Sequence, residues 1–102
     1  MACLSRFSFQ AVPGKSGEVE EALKKLRELV VSTGGSKPKI LHTHFASFGA
    51  PDIVFEQEAP DLAALEKQIN KLTDSGDFQA WTKKMAGLLT HSPKREVYLI
   101  VD

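Results

Sequence analysis

The residues best equipped for chemistry are two histidines two positions apart, His42 and His44, in the stretch Lys-Ile-Leu-His-Thr-His-Phe-Ala-Ser-Phe from Lys39 to Phe48. On a strand, successive side chains point to opposite faces, so both imidazoles would emerge on one side, about 7 Å apart. An imidazole titrates near pH ~6.5 and can move a proton at neutrality. Enclosed together at an effective dielectric of about 20, two charged rings would repel by roughly 2 kcal/mol. A shared cavity would then need Glu56 or Glu58 to keep both protonated. Three roles compete for the pair: proton transfer, two nitrogen ligands to a metal with Glu56 as the third, and hydrogen bonding on a polar sheet face or a dimer seam.

The elements that must position them can be read in order. Cys3 to Val12 alternates, with Phe7, Phe9 and Ala11 opposed to Arg6, Ser8 and Gln10. This is a half-buried strand, stopped by Val12-Pro13-Gly14. Ser16 is the expected N-cap of a helix whose stripe is Val19, Ala22, Leu23, Leu26, Leu29 and Val30, ended by Gly34-Gly35. The histidine strand follows, with Leu41, Thr43 and Phe45 on one face and Ile40, His42, His44 and Ala46 on the other. After a turn at Phe48–Asp52 comes a third strand, Ile53–Glu58, in which Val54 and Phe55 are adjacent and either face can point inward. Asp61 opens a helix with the stripe Leu62, Leu65, Ile69 and Leu72. It is interrupted at Thr73–Gly76, where Ser75 or Asp77 can cap a second piece carrying Phe78, Trp81, Met85 and Leu88. Arg95–Val101 forms the last strand, with Val97, Leu99 and Val101 opposed to Glu96, Tyr98 and Ile100.

This β-α-β-β-α-β series predicts a ferredoxin-like α+β domain over residues 1–102, with a four-stranded antiparallel sheet and its helices on one face. Phe7, Phe9, Phe45, Ile53 or Val54, Val97 and Leu99 are the expected core. The second face would hold Arg6, Ser8, Gln10, His42, His44, Glu56 and Tyr98, with Leu4, Ile40, Ala46 and Ile100 among them. Such a face is either wet or paired with its copy on a second subunit, and the mixture of apolar and titratable groups favours pairing around a cavity. Within that cavity Arg6 can clamp a carboxylate or enolate, or pair with Glu56. Tyr98, Ser8 and Gln10 are candidate ligand contacts. Trp81 reads as core packing, His91 as a solvated loop residue, and Cys3 as unreactive for want of an activating neighbour.

Composition removes several function classes. Thirteen basic residues balance thirteen acidic ones, so no overall field draws the chain to nucleic acid or to a membrane. One cysteine precludes an internal disulfide and a cysteine zinc site. No apolar run suits a signal peptide or a membrane span, and a cytoplasmic location is expected. Phosphate loops, Gly-x-Ser-x-Gly elbows and His-Glu-x-x-His helices are absent. The residues after His44 are Phe45, Ala46, Ser47 and Phe48, without the carboxylate that a cupin His-x-His arm has there. Neither a metal nor a cofactor is expected.

The topology, the turn Val12-Pro13-Gly14-Lys15 and the segment Asp77-Phe78-Gln79-Ala80-Trp81 together resemble the dimeric α+β barrel superfamily. That group includes antibiotic-biosynthesis-type monooxygenases, stress-responsive A/B barrels and NIPSNAP-like proteins. The resemblance implies a homodimer made by pairing sheet faces, with a small organic ligand inside. Its chemistry would be cofactor-free oxygenation, isomerisation or cyclisation, with His42 or His44 as the proton-transfer group and Arg6 as the anion clamp. A non-catalytic ligand-binding or stress-associated dimer is the alternative.

Overall fold

The computed structural model describes residues 1–101; Asp102 lies outside the described residues. The elements are β1 (Cys3–Phe9), α1 (Ser16–Ser32), β2 (Lys39–His42), β3 (Ile53–Ala59), α2 (Leu62–Thr73), α3 (Gly76–Ala86) and β4 (Lys94–Leu99). The strands form one sheet in the order β2-β3-β1-β4 with every pairing antiparallel. This is the ferredoxin-like arrangement expected from the sequence, with the second helix in two pieces.

The core lies between the helices and one face of the sheet. Val19, Ala22, Leu23, Leu26 and Val30 of α1 are buried against Phe9, Ile53 and Phe55. On α2, Leu65 and Leu72 are buried while Leu62 is exposed; on α3 only Met85 is fully covered. Asp61 caps α2 by accepting from the Ala64 amide at 2.7 Å, and Ser75 caps α3 by accepting from the Phe78 amide at 3.1 Å. At α1 the expectation is corrected. Ser16 is the first helical residue, and the N-cap position is Lys15, which offers no capping side chain.

Two strands also differ from expectation. β2 has four residues instead of ten, because β3 begins at Ile53 and leaves nothing for residues beyond His42 to pair with. Thr43 closes the connection by donating from its amide to Asp52 O and from its hydroxyl to Pro51 O, at 2.9 and 2.6 Å. Phe45 and Phe48, placed by their apolar character in the strand, stand at 91% and 108% exposure in that connection. β4 is an edge strand beyond the reach of the helices, so Val97 and Leu99 face the helix side yet remain exposed.

Candidate functional site

Register decides which side chains share a surface, since residues directly opposite in a ladder point the same way. Arg6 lies opposite both Glu56 and Glu96, Leu4 opposite Glu58 and Tyr98, and Ser8 opposite Val54 and Lys94. The open face therefore carries Arg6, Glu56, Glu96 and Tyr98 together, as the alternation of β1 and β4 implied. Val54, Glu56 and Glu58 are the open side of β3; Ile53, Phe55 and Gln57 are its buried side. Arg6 Nε donates to Glu56 Oε2 at 2.7 Å, and the guanidinium carbon Cζ lies 5.4 Å from the centre of the Tyr98 ring. The bond to Glu56 holds the guanidinium proton more tightly than usual. The Tyr98 hydroxyl donates to Glu96, which raises the phenol above its ordinary range. Gln10, past the end of β1, donates to Ala50 O at 2.6 Å.

The histidines do not join this wall. His42 is opposite Ile53, and Ile40 is opposite Phe55, both buried on the helix side. β2 is thus turned over relative to the sequence reading: Ile40 packs on the core, and Leu41, opposite Val54, is exposed on the open face. His42 Nδ1 meets the carboxylate of Glu20 on α1 and ties the strand end to that helix. His44 lies in a bend past β2, exposed, with its ring edge-on to Phe45 at 4.6 Å. Glu56 and His42 emerge on opposite faces, so the His42/His44/Glu56 metal set does not assemble. Among the described residues no three His, Cys, Asp or Glu side chains come together as a metal site.

On the other side of the sheet lies a cleft of about 540 Å³ between α3 and the start of β4. Phe7, Phe78, Trp81, Met85 and Leu89 make its walls, with Thr82, Thr90, His91 and Ser92 as its polar groups. A few polar groups in a mostly apolar concavity is the usual make-up of a small-molecule site. Phe78 and Trp81 stack at 5.7 Å, presenting flat aromatic surface. Trp81 Nε1 donates to Ala22 O at 2.6 Å, which fixes the indole between α3 and α1. It is only partly buried, so the packing role expected of it and a place on the cleft wall coexist.

His91 is held by backbone that continues the sheet. The Val12 amide donates to Leu88 O at 2.9 Å and the Thr90 amide to Gln10 O at 3.0 Å, around a bridge between Ala11 and Leu89. Its Nδ1 sits 2.8 Å from Ser92 O. A carbonyl only accepts, so Nδ1 carries the hydrogen and Nε2 of the neutral ring is left with the lone pair of a base. His91 is exposed, as expected of a solvated loop residue, and it stands at the rim of the cleft. The signal for its place at the cleft was its position a few residues after the apolar stripe of Phe78, Trp81 and Met85.

No family model and no curated protein sequence matches the chain. Solved structures share its fold. A candidate antibiotic biosynthesis monooxygenase from Bordetella bronchiseptica superposes with a TM-score of 0.74 at 18% identity, covering 98% of this chain and 97% of that one. A NIPSNAP domain protein from Burkholderia xenovorans gives 0.72 at 16% identity, over 99% and 95%. A dimeric ferredoxin-like protein of unknown function from Thermobifida fusca gives 0.68 at 14% identity, over 98% and 92%. Over nearly the whole chain, then, the ferredoxin-like fold expected from the sequence is shared with these structures.

Proposed function

We propose that this chain, built on the ferredoxin-like fold of these monooxygenase-like and NIPSNAP structures, is a homodimeric small-molecule-binding protein whose ligand lies in the cleft under Trp81. The cleft carries the reading: it is apolar, has stacked aromatic walls, and has one histidine at its edge. It suits a flat, conjugated organic molecule. The chemistry that fits is removal of an acidic C–H or O–H proton by His91 Nε2, the step that prepares such a molecule for reaction with dioxygen, isomerisation or cyclisation. His91 takes the proton-transfer role that the sequence assigned to His42 or His44. Arg6, Glu56, Tyr98, Ser8 and Gln10 belong to the face on which two protomers pair.

A thermal-shift screen of polycyclic phenols and quinones tests the proposal. At one hundred times its Kd a cleft ligand stabilises by about 2.7 kcal/mol, a shift of more than ten degrees for a chain of this size. The shift is expected to vanish in Trp81→Ala and to persist in His42→Ala. His91→Ala should retain binding and lose about 10²-fold or more of any turnover found. A ligand shift untouched by Trp81→Ala, with circular dichroism showing the variant folded, overturns the cleft reading.

A further inference from the structure

Loop residues 90–93 separate the cleft from a second, smaller hollow of about 220 Å³ at the end of the open face. Ser8, Gln10, His91, Lys94 and Glu96 line it, with the backbone around Gly49 and Pro51. His91 is common to both hollows. The first is apolar, whereas side chains able to donate converge in the second. Ser8 and Lys94 are direct cross-strand partners on one face, which sets their Cβ atoms about 5 Å apart. Gln10 is already committed to Ala50 O. Glu96 lies on the same face but accepts from the Tyr98 hydroxyl farther along β4, and Arg6 is opposite it. Arg6 is in turn paired with Glu56. Among the described residues, Lys94 has no carboxylate within ion-pair distance, so its ammonium is free to meet an anion even though the Glu96 carboxylate, turned toward Tyr98, lines the same hollow.

We infer that the cleft and this hollow are two ends of one site, and that its ligand is a flat apolar molecule bearing one anionic group. The ring system lies against Phe78 and Trp81, and the anion reaches past His91 to the Lys94 ammonium and the Ser8 hydroxyl. The inference rests on the cleft reading above and adds to it the polarity and charge of the ligand. An ammonium-to-anion hydrogen bond contributes more than a neutral one, so the charged end should weigh measurably in affinity.

Two fluorescent probes that differ only in a sulfonate, 8-anilinonaphthalene-1-sulfonate and N-phenyl-1-naphthylamine, separate the two statements. Lys94→Met is expected to weaken the sulfonate probe about tenfold, to leave the neutral probe within about twofold, and to be reversed in Lys94→Arg. Trp81→Ala should weaken both probes. If Trp81→Ala weakens both but Lys94→Met changes neither, or changes the two equally, the inference falls and the cleft reading stands. Failure of the wild-type protein to bind either probe, or indifference of both to Trp81→Ala, overturns the cleft reading and the inference with it. Lys94 is exposed, and matching melting curves for the three Lys94 proteins would confirm that its substitution leaves folding intact.

Discussion

Arg6 is held on three sides: by the Glu56 carboxylate at 2.7 Å, by the Tyr98 ring, and by Glu96 across the ladder. The guanidinium is 39% exposed and Glu56 15%, so in a free protomer the pair contributes only about 0–1 kcal/mol. Covering it with a second sheet face would change that balance, because a desolvated pair is costly to break by removing one member. Tyr98 gives a direct readout of this cluster. Its bond to Glu96 is the largest cause raising its pKa above 10.0, and Arg6 works in the opposite direction. A phenol that keeps its proton longer when folded stabilises fully below the unfolded pKa, and the contribution drains away as pH rises through the folded value. Tyr98 is the only tyrosine, so absorbance at 295 nm follows it alone. The titration midpoint is expected above pH 10, and Glu96→Gln should bring it down. A midpoint that Glu96→Gln leaves in place would show that the carboxylate does not hold the phenol.

Among the elements, those with long patterns were legible and those with short ones were not. α1 and β1 repeat their period several times, and each buries most of the residues its period named, with Leu29 and Phe7 only partly covered. β2 has four residues, of which Ile40 and Leu41 are both apolar, so either phase satisfies it. The apolar Phe45 and Phe48 then drew the strand on through what is a ten-residue connection. β3 was ambiguous because Gln57 is buried where an apolar residue would have settled the phase. Gln57 Nε2 donates to Gln68 Oε1 at 3.1 Å, and Gln68 Nε2 to Thr33 Oγ1 at 3.2 Å, joining β3, α2 and the end of α1. Gly35 sits against this chain of amides. A Cβ there would fall 2.8 Å from both Gln57 Nε2 and Val30 Cγ1, closer than such atoms pack. Gly35→Ala should therefore cost about 1–3 kcal/mol in urea unfolding. An alanine variant as stable as wild type would mean that the amide chain yields freely. That the exposed His91 borders the cleft was not legible for a related reason: a loop has no period, and its placement depends on the bridge between Ala11 and Leu89.

At the scale of the whole molecule the chain is a slab, 37 × 35 × 18 Å, one sheet thick and one helix layer thick. It exposes 6614 Å², about 900 Å² more than the roughly 5,700 Å² expected of a compact monomer of 11.2 kDa. That excess is close to the about 800 Å² that one partner contributes to a standard interface. Leu41 at 44% and Tyr98 at 41% exposure, with Leu4 and Val54 between them, give the open face an apolar component. Sedimentation equilibrium is expected to return twice the chain mass. The doubly charged Leu41→Glu/Val54→Glu protein, altered at two directly paired positions, should return one. Wild-type protein that remains monomeric at every concentration would rule out pairing through the face.

Cys3, the single thiol, is wholly buried on β1 between β3 and β4. Because β1 is a central strand, the sulfur becomes reachable only when the sheet opens. The residue is thus a clock for opening. A thiol reagent in excess should label the native protein slower than the urea-unfolded chain, by a factor equal to the equilibrium between closed and open forms. A factor of about 10³ or more is expected of a stable domain; labelling at the unfolded rate would mean that β1 frays on its own. Cleft ligands should slow the clock in proportion to their occupancy.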